Sequence, residues 1–125
     1  MSITSPTVAD AGAGREGGVY AIFEITVHDE VMYEKYRQQV KPIIENYGGR
    51  YVVRAGTNFV SDNPTSAFLA TIGDWAPDRL IVLHFESAKR CQEFLDSPEY
   101  KKIVDLRTSS SSTKAVLVRA FQPDK

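Results

Sequence analysis

Three side chains on predicted strands could together perform acid/base chemistry: Glu24, His84 and Arg54. Successive side chains of a strand point to opposite faces of the sheet, and this parity places the three on one face. A carboxylate that orients an imidazole is a common general-base arrangement, and a nearby guanidinium can hold an anionic oxygen. We therefore predict Glu24 and His84 as catalytic residues and Arg54 as a substrate-binding residue.

Two more side chains are assigned to the same face, where Tyr20 and Arg119 are predicted to contact the substrate. A simpler interpretation stays open: polar groups on such a face can satisfy one another or bridge waters without any catalytic role. Register between the strands decides whether Glu24 and His84 meet, and the sequence does not give the register.

Other residues that could carry chemistry have simpler structural interpretations. Tyr33, Tyr36 and Tyr47 could line a pocket with phenol donors, but their helical spacing favours a core stripe. Arg107 lies near the end of a predicted helix, where a cation favourably meets the last carbonyls. Cys91 is the sole cysteine and lies on an apolar helix stripe, which favours a buried structural thiol.

Metal and cofactor signatures are missing from the sequence. The two histidines are far apart and the cysteine is single, so the usual spacing of metal ligands is not present. Neither a phosphate loop nor a dinucleotide fingerprint nor a Gly-x-Ser-x-Gly elbow occurs. We predict neither a metal nor a cofactor.

The elements that would position these residues follow from hydrophobic periodicity and from residues that begin or end helices. The predicted elements, in chain order, are a strand from Val19 to Val27, a helix from Asp29 to Gly48, a strand from Arg50 to Ala55, a strand from Leu80 to Glu86, a helix capped by Ser87 that restarts at Ser97-Pro98, and a strand from Lys114 to Phe121. Residues 108–113 are predicted as a polar connection before the last strand. The segment from Gly56 to Asp78 is an irregular loop, longer than the usual limit of about 12 to 15 residues for structureless connections.

The order strand, helix, strand, strand, helix, strand is typical of α+β ferredoxin-like folds. In this fold a four-stranded antiparallel sheet carries both helices on one face, with the first and third strands in the centre. Residues 1–18 are Gly-rich and lack apolar periodicity, which predicts a flexible tail, and residues 19–125 form a single domain. The apolar faces of the central strands, Val19 to Val27 and Ile81 to Phe85, are expected under the helices.

The opposite sheet face is then left open in a single chain. It is expected to present apolar side chains interleaved with the polar candidates, namely Tyr20, Ile22, Leu80, Val82 and Leu117 beside Glu24, Arg54, His84 and Arg119. Covering such a patch is favourable at about 25 cal/mol per Å² of apolar area. We predict a homodimer that packs sheet to sheet through this open face.

Composition restricts the partners. Hydrophobic residues make up 42% and charged residues 25% of the chain, close to ordinary globular proteins, and the formal net charge is −1 without a basic run. Nucleic acid is therefore an unfavourable partner. The sequence has no apolar run near the roughly 18 residues of a membrane span and no secretory start, so we predict no membrane partner and a cytoplasmic location.

Three stretches carry a resemblance to a known family: YEKYRQQVKPIIENYGGRYVVRAG, GDWAPDRLIVLHFES and DSPEYKKIVDLR. From Val19 to about Phe121 the chain resembles the family catalogued as domain of unknown function 1330 (DUF1330), of the dimeric α/β barrel superfamily. The resemblance implies a ferredoxin-like subunit whose open sheet pairs with its twin to form a barrel. It implies no established reaction, and it gives His84 no inherited role.

Two functions remain in competition. The first is a metal-free enzyme that acts on a small organic molecule by acid/base chemistry in the barrel cavity, with Glu24 and His84 moving protons. The second is a non-catalytic dimer that binds a small ligand or serves a structural or regulatory role. A roomy cavity with a perturbed titratable group favours a ligand site, and a barrel filled with side chains favours the structural role.

Overall fold

The computed structural model describes residues 17–56 and 68–121. Its elements, in chain order, are β1 (Val19–Val27), α1 (Glu30–Asn46), β2 (Arg50–Gly56), β3 (Arg79–Phe85), α2 (Ala88–Asp96), α3 (Pro98–Ser110) and β4 (Ser111–Arg119). Two predicted segments lie wholly or partly outside the described residues. They are the tail, of which only residues 17 and 18 are described, and the loop, of which residues 57–67 are not.

The four strands form one antiparallel sheet in the order β2-β3-β1-β4. This order confirms the α+β ferredoxin-like fold, with the first and third strands in the centre. The sheet of the single chain is open and does not close into a barrel.

Side chains that accept backbone hydrogen bonds begin each helix. Asp29 Oδ1 accepts from Met32 N at 3.1 Å, and Ser87 Oγ accepts from Arg90 N at 3.1 Å. Ser97 Oγ accepts from Tyr100 N at 3.1 Å, and the proline that follows starts α3 at a position where a missing N–H is harmless. The predicted restart of the second helix is therefore confirmed.

The core lies between the helices and one face of the sheet. Along β3 the residues Arg79, Ile81, Leu83 and Phe85 are buried, whereas the residues between them are half-buried. β1 contributes Val19, Ala21 and Ile25 to the same core. The predicted apolar faces of the two central strands thus lie under the helices, as expected from their alternation.

The predicted polar connection over residues 108–113 is wrong, because α3 continues to Ser110 and β4 begins at Ser111. Serine side chains make the direct passage possible: Ser110 Oγ donates to the Leu106 carbonyl and Ser111 Oγ to the Arg107 carbonyl. These bonds satisfy carbonyls of the last helical turn that a connection would otherwise leave to water. The Ser110 carbonyl in turn accepts from the backbone N–H groups of His28 and Asp29.

The described part of the long loop, residues 68–78, contains no helix or strand. Asp78 Oδ2 accepts from Val27 N at 3.1 Å, which fixes the end of this segment to β1. The side chains of Leu69 and Ile72 are 98% and 95% exposed, so these two do not pack against the described part of the domain.

Candidate ligand-binding cavity and open sheet face

The register of the central strands separates the two predicted catalytic residues. Tyr20 lies opposite His84, and Glu24 lies opposite Leu80. Glu24 is therefore four positions from the residue that faces His84, which is about 13 Å along the strand at the usual rise. Both side chains belong to the open face, as parity predicts, but the structure does not bring them together as a hydrogen-bonded pair.

His84 has other contacts. Its Nε2 lies 2.9 Å from the carbonyl oxygen of Gly17, and its ring meets the edge of Tyr20 with a centroid separation of 5.1 Å. The imidazole thus links β3 to the segment that precedes β1. Tyr20 lies on the open face beside it, where the sequence places it.

Arg54 lies on the opposite side of the sheet from the one predicted. Tyr51 is paired with Leu83 and Val53 with the next residue of β3, Val82. Val52 is therefore an extra, unpaired residue in β2, which is a β-bulge. The extra residue inverts the parity of everything after it, and Arg54 comes to lie opposite Ile81 on the helix side. Arg54 therefore does not share a face with Glu24 and His84.

Arg119 is also on the helix side, because its backbone partner is Val19, a core residue. The predicted face of β4 is wrong for Leu117 as well, which pairs with Ala21 and packs against the core. Val116 and Val118 occupy the open face instead. Residues 116–118 are apolar throughout, so alternation alone did not determine which side of β4 faces the helices.

The helix side contains a cavity that polar side chains line together with the core. Its volume is about 40 Å³, which is room for roughly three water molecules. The lining combines aliphatic and phenylalanine side chains with phenols and guanidiniums: Phe23, Ile25, Val40, Ile44, Ile81, Leu83 and Phe94 on one hand, and Tyr33, Tyr36, Tyr51, Tyr100, Arg37, Arg54 and Arg107 on the other. No Asp, Glu, His or Lys is among these described lining residues.

The phenols of the cavity are strongly shielded from water. Burial raises the pKa of Tyr33 to about 12, and burial raises the pKa of Tyr36 well above its ordinary value. Burial also raises the pKa of Tyr51, an effect that the Arg54 charge partly opposes. Tyr36 and Tyr100 are joined through their hydroxyl oxygens at 3.3 Å. With their pKa values raised, Tyr33, Tyr36 and Tyr51 remain protonated at neutral pH, so they serve the cavity as hydrogen-bond donors and not as bases.

The three guanidiniums of the cavity differ in what neutralises them. Arg37 donates two hydrogen bonds to the carboxylate of Glu34, and this contact lowers the pKa of that carboxyl group. Arg54 stacks over the ring of Tyr51 with its Cζ 4.7 Å from the centroid. Among the described residues neither Arg54 nor Arg107 forms an ion pair with a carboxylate.

Arg107 is the most unusual of these residues. It lies on α3, is 9% exposed, and its buried Nε has no hydrogen-bond partner among the described residues. Burying a charged donor without a partner is unfavourable, since its hydration is lost and nothing replaces it. The arrangement places positive charge and hydrogen-bond donors around the cavity.

The helical spacing of Tyr33 and Tyr36 favours a core stripe, and both residues do lie in the core, where they also line the cavity. The sequence patterns do not indicate Tyr51, Tyr100 or Arg37 as lining residues, and they place Arg107 at the helix end. A signal for Arg107 exists in the sequence. It follows Tyr100 and Ile103 at intervals of three and four, which places a charged residue on the buried stripe of a helix.

Within residues 17–56 and 68–121 no group of three His, Cys, Asp or Glu side chains is arranged to hold a metal ion. None of the helices described is both long and apolar enough to cross a bilayer. The cytoplasmic location stays a prediction.

The sheet order, the helix layer on one face and the cavity between them define a ferredoxin-like α+β protein with an open sheet. Residues 18–121 match the family described as Domain of unknown function (DUF1330), and the chain belongs to this family. A comparison with curated proteins found no match.

Two solved structures share the fold. One is the RPA0582 protein of unknown function from Rhodopseudomonas palustris, with 17% sequence identity, a TM-score of 0.66, and coverage of 87% of this chain and 86% of that one. The other is methylated RPA0582 protein, also at 17% identity, with a TM-score of 0.65 and coverage of 89% and 86%. At this identity the likeness supports the fold and no function.

Proposed function

We propose that this protein binds a small organic molecule in the helix-side cavity and that it forms a homodimer through the open sheet face. The observation that carries the ligand proposal is the polar lining of the cavity. Four phenols and three guanidiniums surround a space inside a layer that is ordinarily filled by apolar side chains. Such donors are expected where a ligand is oriented and not where helices simply pack on a sheet.

We favour ligand binding over the alternative hypothesis, in which Glu24 and His84 perform acid/base catalysis. That mechanism needs the carboxylate and the imidazole within hydrogen-bond reach, and the register separates them. The cavity itself offers donors, and among its described lining residues there is no carboxylate or imidazole to act as a base. The non-catalytic ligand-binding function is therefore the better supported of the two hypotheses.

The ligand proposal is tested by a ¹H–¹⁵N NMR screen of the whole chain against a panel of small neutral, cationic and anionic organic molecules. We expect at least one class to shift the backbone amides of Tyr33, Tyr51 and Tyr100, which lie on three different elements around the cavity. Val40→Phe, which fills the space from α1, should abolish the shifts. Val31→Phe, at an exposed position of the same helix, is the matched control and should preserve them. A panel that shifts none of the cavity amides would contradict the ligand proposal.

The dimer proposal rests on the composition of the open face. Backbone pairing aligns Val53, Val82, Ile22 and Val116 in one row across all four strands, and all four are aliphatic. Val116 and Val118 are 51% and 40% exposed in the single chain. A second copy would cover this row and gain about 25 cal/mol per Å² of apolar surface removed from water.

Sedimentation equilibrium tests the dimer. The wild-type chain should have the mass of two copies, and Val116→Glu should dissociate it by placing a charge in the paired face. Val31→Glu is the matched control, because Val31 is 72% exposed on α1, away from the open face, and its replacement should leave the dimer intact. A monomeric wild-type chain at micromolar concentration would overturn this proposal.

A further inference from the structure

We propose that the ligand of the helix-side cavity is a small organic acid whose carboxylate is held by Arg107. This inference rests on the proposed ligand site and specifies the chemical class that the site takes.

The charge balance of the lining favours an anion. Of the three guanidiniums around the cavity, Arg37 is neutralised by the carboxylate of Glu34, whereas Arg54 and Arg107 have no carboxylate partner in the described part of the chain. The cavity therefore holds two positive charges without counterions from the described side chains. A cationic ligand would be repelled, and a neutral one would leave the buried donor of Arg107 with a weaker partner than an anion provides.

The position of Arg107 identifies it as the anchor. Its Nε is buried and has no hydrogen-bond partner within residues 17–56 and 68–121, although the side chain lines the cavity beside Tyr33 and Tyr36. A planar guanidinium presents its N–H groups in a fork that matches the two oxygens of a carboxylate. Tyr36 and Tyr100 share one hydrogen bond between their hydroxyl groups, so one of the two O–H groups is left to donate to the same anion.

The rest of the lining distinguishes a carboxylate from inorganic phosphate. Phe23, Ile81 and Phe94 form part of the wall, so a ligand must combine a charged head with an apolar body to satisfy both kinds of surface. A doubly charged phosphate would lose its hydration against these side chains without apolar contacts in return. The cavity volume of about 40 Å³ restricts the acid to a small one.

The test compares propionate with propionamide, which has nearly the same shape and no charge, and with inorganic phosphate, all at equal ionic strength. The readout is the Nε–Hε signal of Arg107 in ¹H–¹⁵N spectra of the whole chain, assigned through Arg107→Lys. Propionate should move this signal with saturation, while propionamide and phosphate should leave it in place. Arg107→Met should weaken propionate binding at least tenfold. Arg90→Met, which removes a surface arginine paired with Glu93, should leave it unchanged.

Each result separates this inference from the proposed function. Binding of propionamide as tight as that of propionate, or a shift with phosphate alone, would overturn the carboxylate assignment and leave the ligand site standing. A panel in which no molecule shifts any cavity amide would overturn the ligand site itself. If Arg107→Met does not fold, the comparison of propionate and propionamide on the wild-type Arg107 signal still decides the matter.

Discussion

Replacing glycine by alanine adds one methyl group, which can destabilise the chain by backbone strain at a positive φ or by steric overlap with neighbouring atoms. Four glycines of this chain allow the two effects to be measured separately. Gly18, Gly48 and Gly73 have φ angles of +74°, +80° and +85°, so an L-residue is strained at each of them. Their surroundings differ. Counting the described residues, a Cβ at Gly73 would meet nothing within 4 Å, and one at Gly48 would meet only two side chains, at 3.8 and 4.0 Å. A Cβ at Gly18 would overlap the carbonyl oxygen of Phe85.

Replacement by alanine should therefore destabilise the chain by different amounts. Gly73→Ala and Gly48→Ala carry the backbone term alone, about 1 to 2 kcal/mol. Gly18→Ala adds a steric overlap with the backbone of β3, which has little freedom to move, and we expect a further loss of about 1 to 3 kcal/mol. Gly49→Ala reverses the combination: its φ is ordinary, but its Cβ would lie 2.6 Å from Phe85 Cε1 and 2.7 Å from Ile44 Cγ2. It should carry the steric term without the backbone term.

Urea unfolding of the four alanine variants, followed by circular dichroism, measures the free energy of unfolding. The expected order of destabilisation is Gly18→Ala first, with Gly73→Ala and Gly48→Ala alike and smaller. A loss at Gly18→Ala no larger than that at Gly73→Ala would refute the argument, because the close approach of residue 18 to the Phe85 carbonyl would then have no energetic consequence. Equal denaturant slopes among the variants are the control that they unfold from the same state.

Three further predictions follow from buried groups. Burial raises the pKa of Cys91 to about 12. Alkylation of the native thiol by iodoacetamide at pH 8, followed by mass spectrometry, should therefore be at least a hundredfold slower than in the urea-unfolded chain. Equal rates would contradict a buried thiol. The pKa of Tyr33, raised to about 12 from an ordinary 10.0, makes the unfolded chain lose this proton first, so stability is intact below pH 10 and falls as the pH rises towards 12. Tyr33→Phe should show a shallower fall in the urea midpoint over that range. Arg79 is 2% exposed and its Nη2 lies 2.6 Å from Glu30, so Glu30→Gln should destabilise the chain by about 1 to 3 kcal/mol in urea unfolding. Glu93→Gln, in a pair whose arginine side chain is 34% exposed, should cost less than about 0.5 kcal/mol. Equal losses would show that burial of the guanidinium does not matter.

The fold was predictable from the sequence because local signals agree with the global arrangement. The alternation of β1 and β3 and the caps Asp29, Ser87 and Ser97 each specify an element and its buried side. The end of α3 was not predictable in the same way. Runs of serine and threonine are typical of connections, and here Ser110 and Ser111 instead bond to carbonyls of the preceding turn and let a strand follow a helix directly.

The candidate site was harder to predict because it depends on register and parity across several strands. Parity assumes one residue for each step of the sheet, and the bulge at Val52 breaks this rule before Arg54 is reached. Nothing in the local sequence marks the bulge, since Val52 is an ordinary strand residue and not a glycine. The distance between Glu24 and His84 depends likewise on how β1 slides against β3, which residue types alone do not specify.

The cavity and the open face lie on opposite sides of the same sheet. Neighbouring residues of a central strand serve different surfaces: Phe23 lines the cavity while Ile22 belongs to the open face. The cavity lies between the sheet and the helices, on the side of the sheet opposite the open face, so ligand binding should not require the second copy. Val116→Glu should therefore give a monomer that still binds propionate with an affinity within about threefold of the wild type, since the sheet separates the two surfaces. Loss of propionate binding together with loss of the dimer would contradict this independence. It would mean that the cavity keeps its shape only when a second copy packs against the open face.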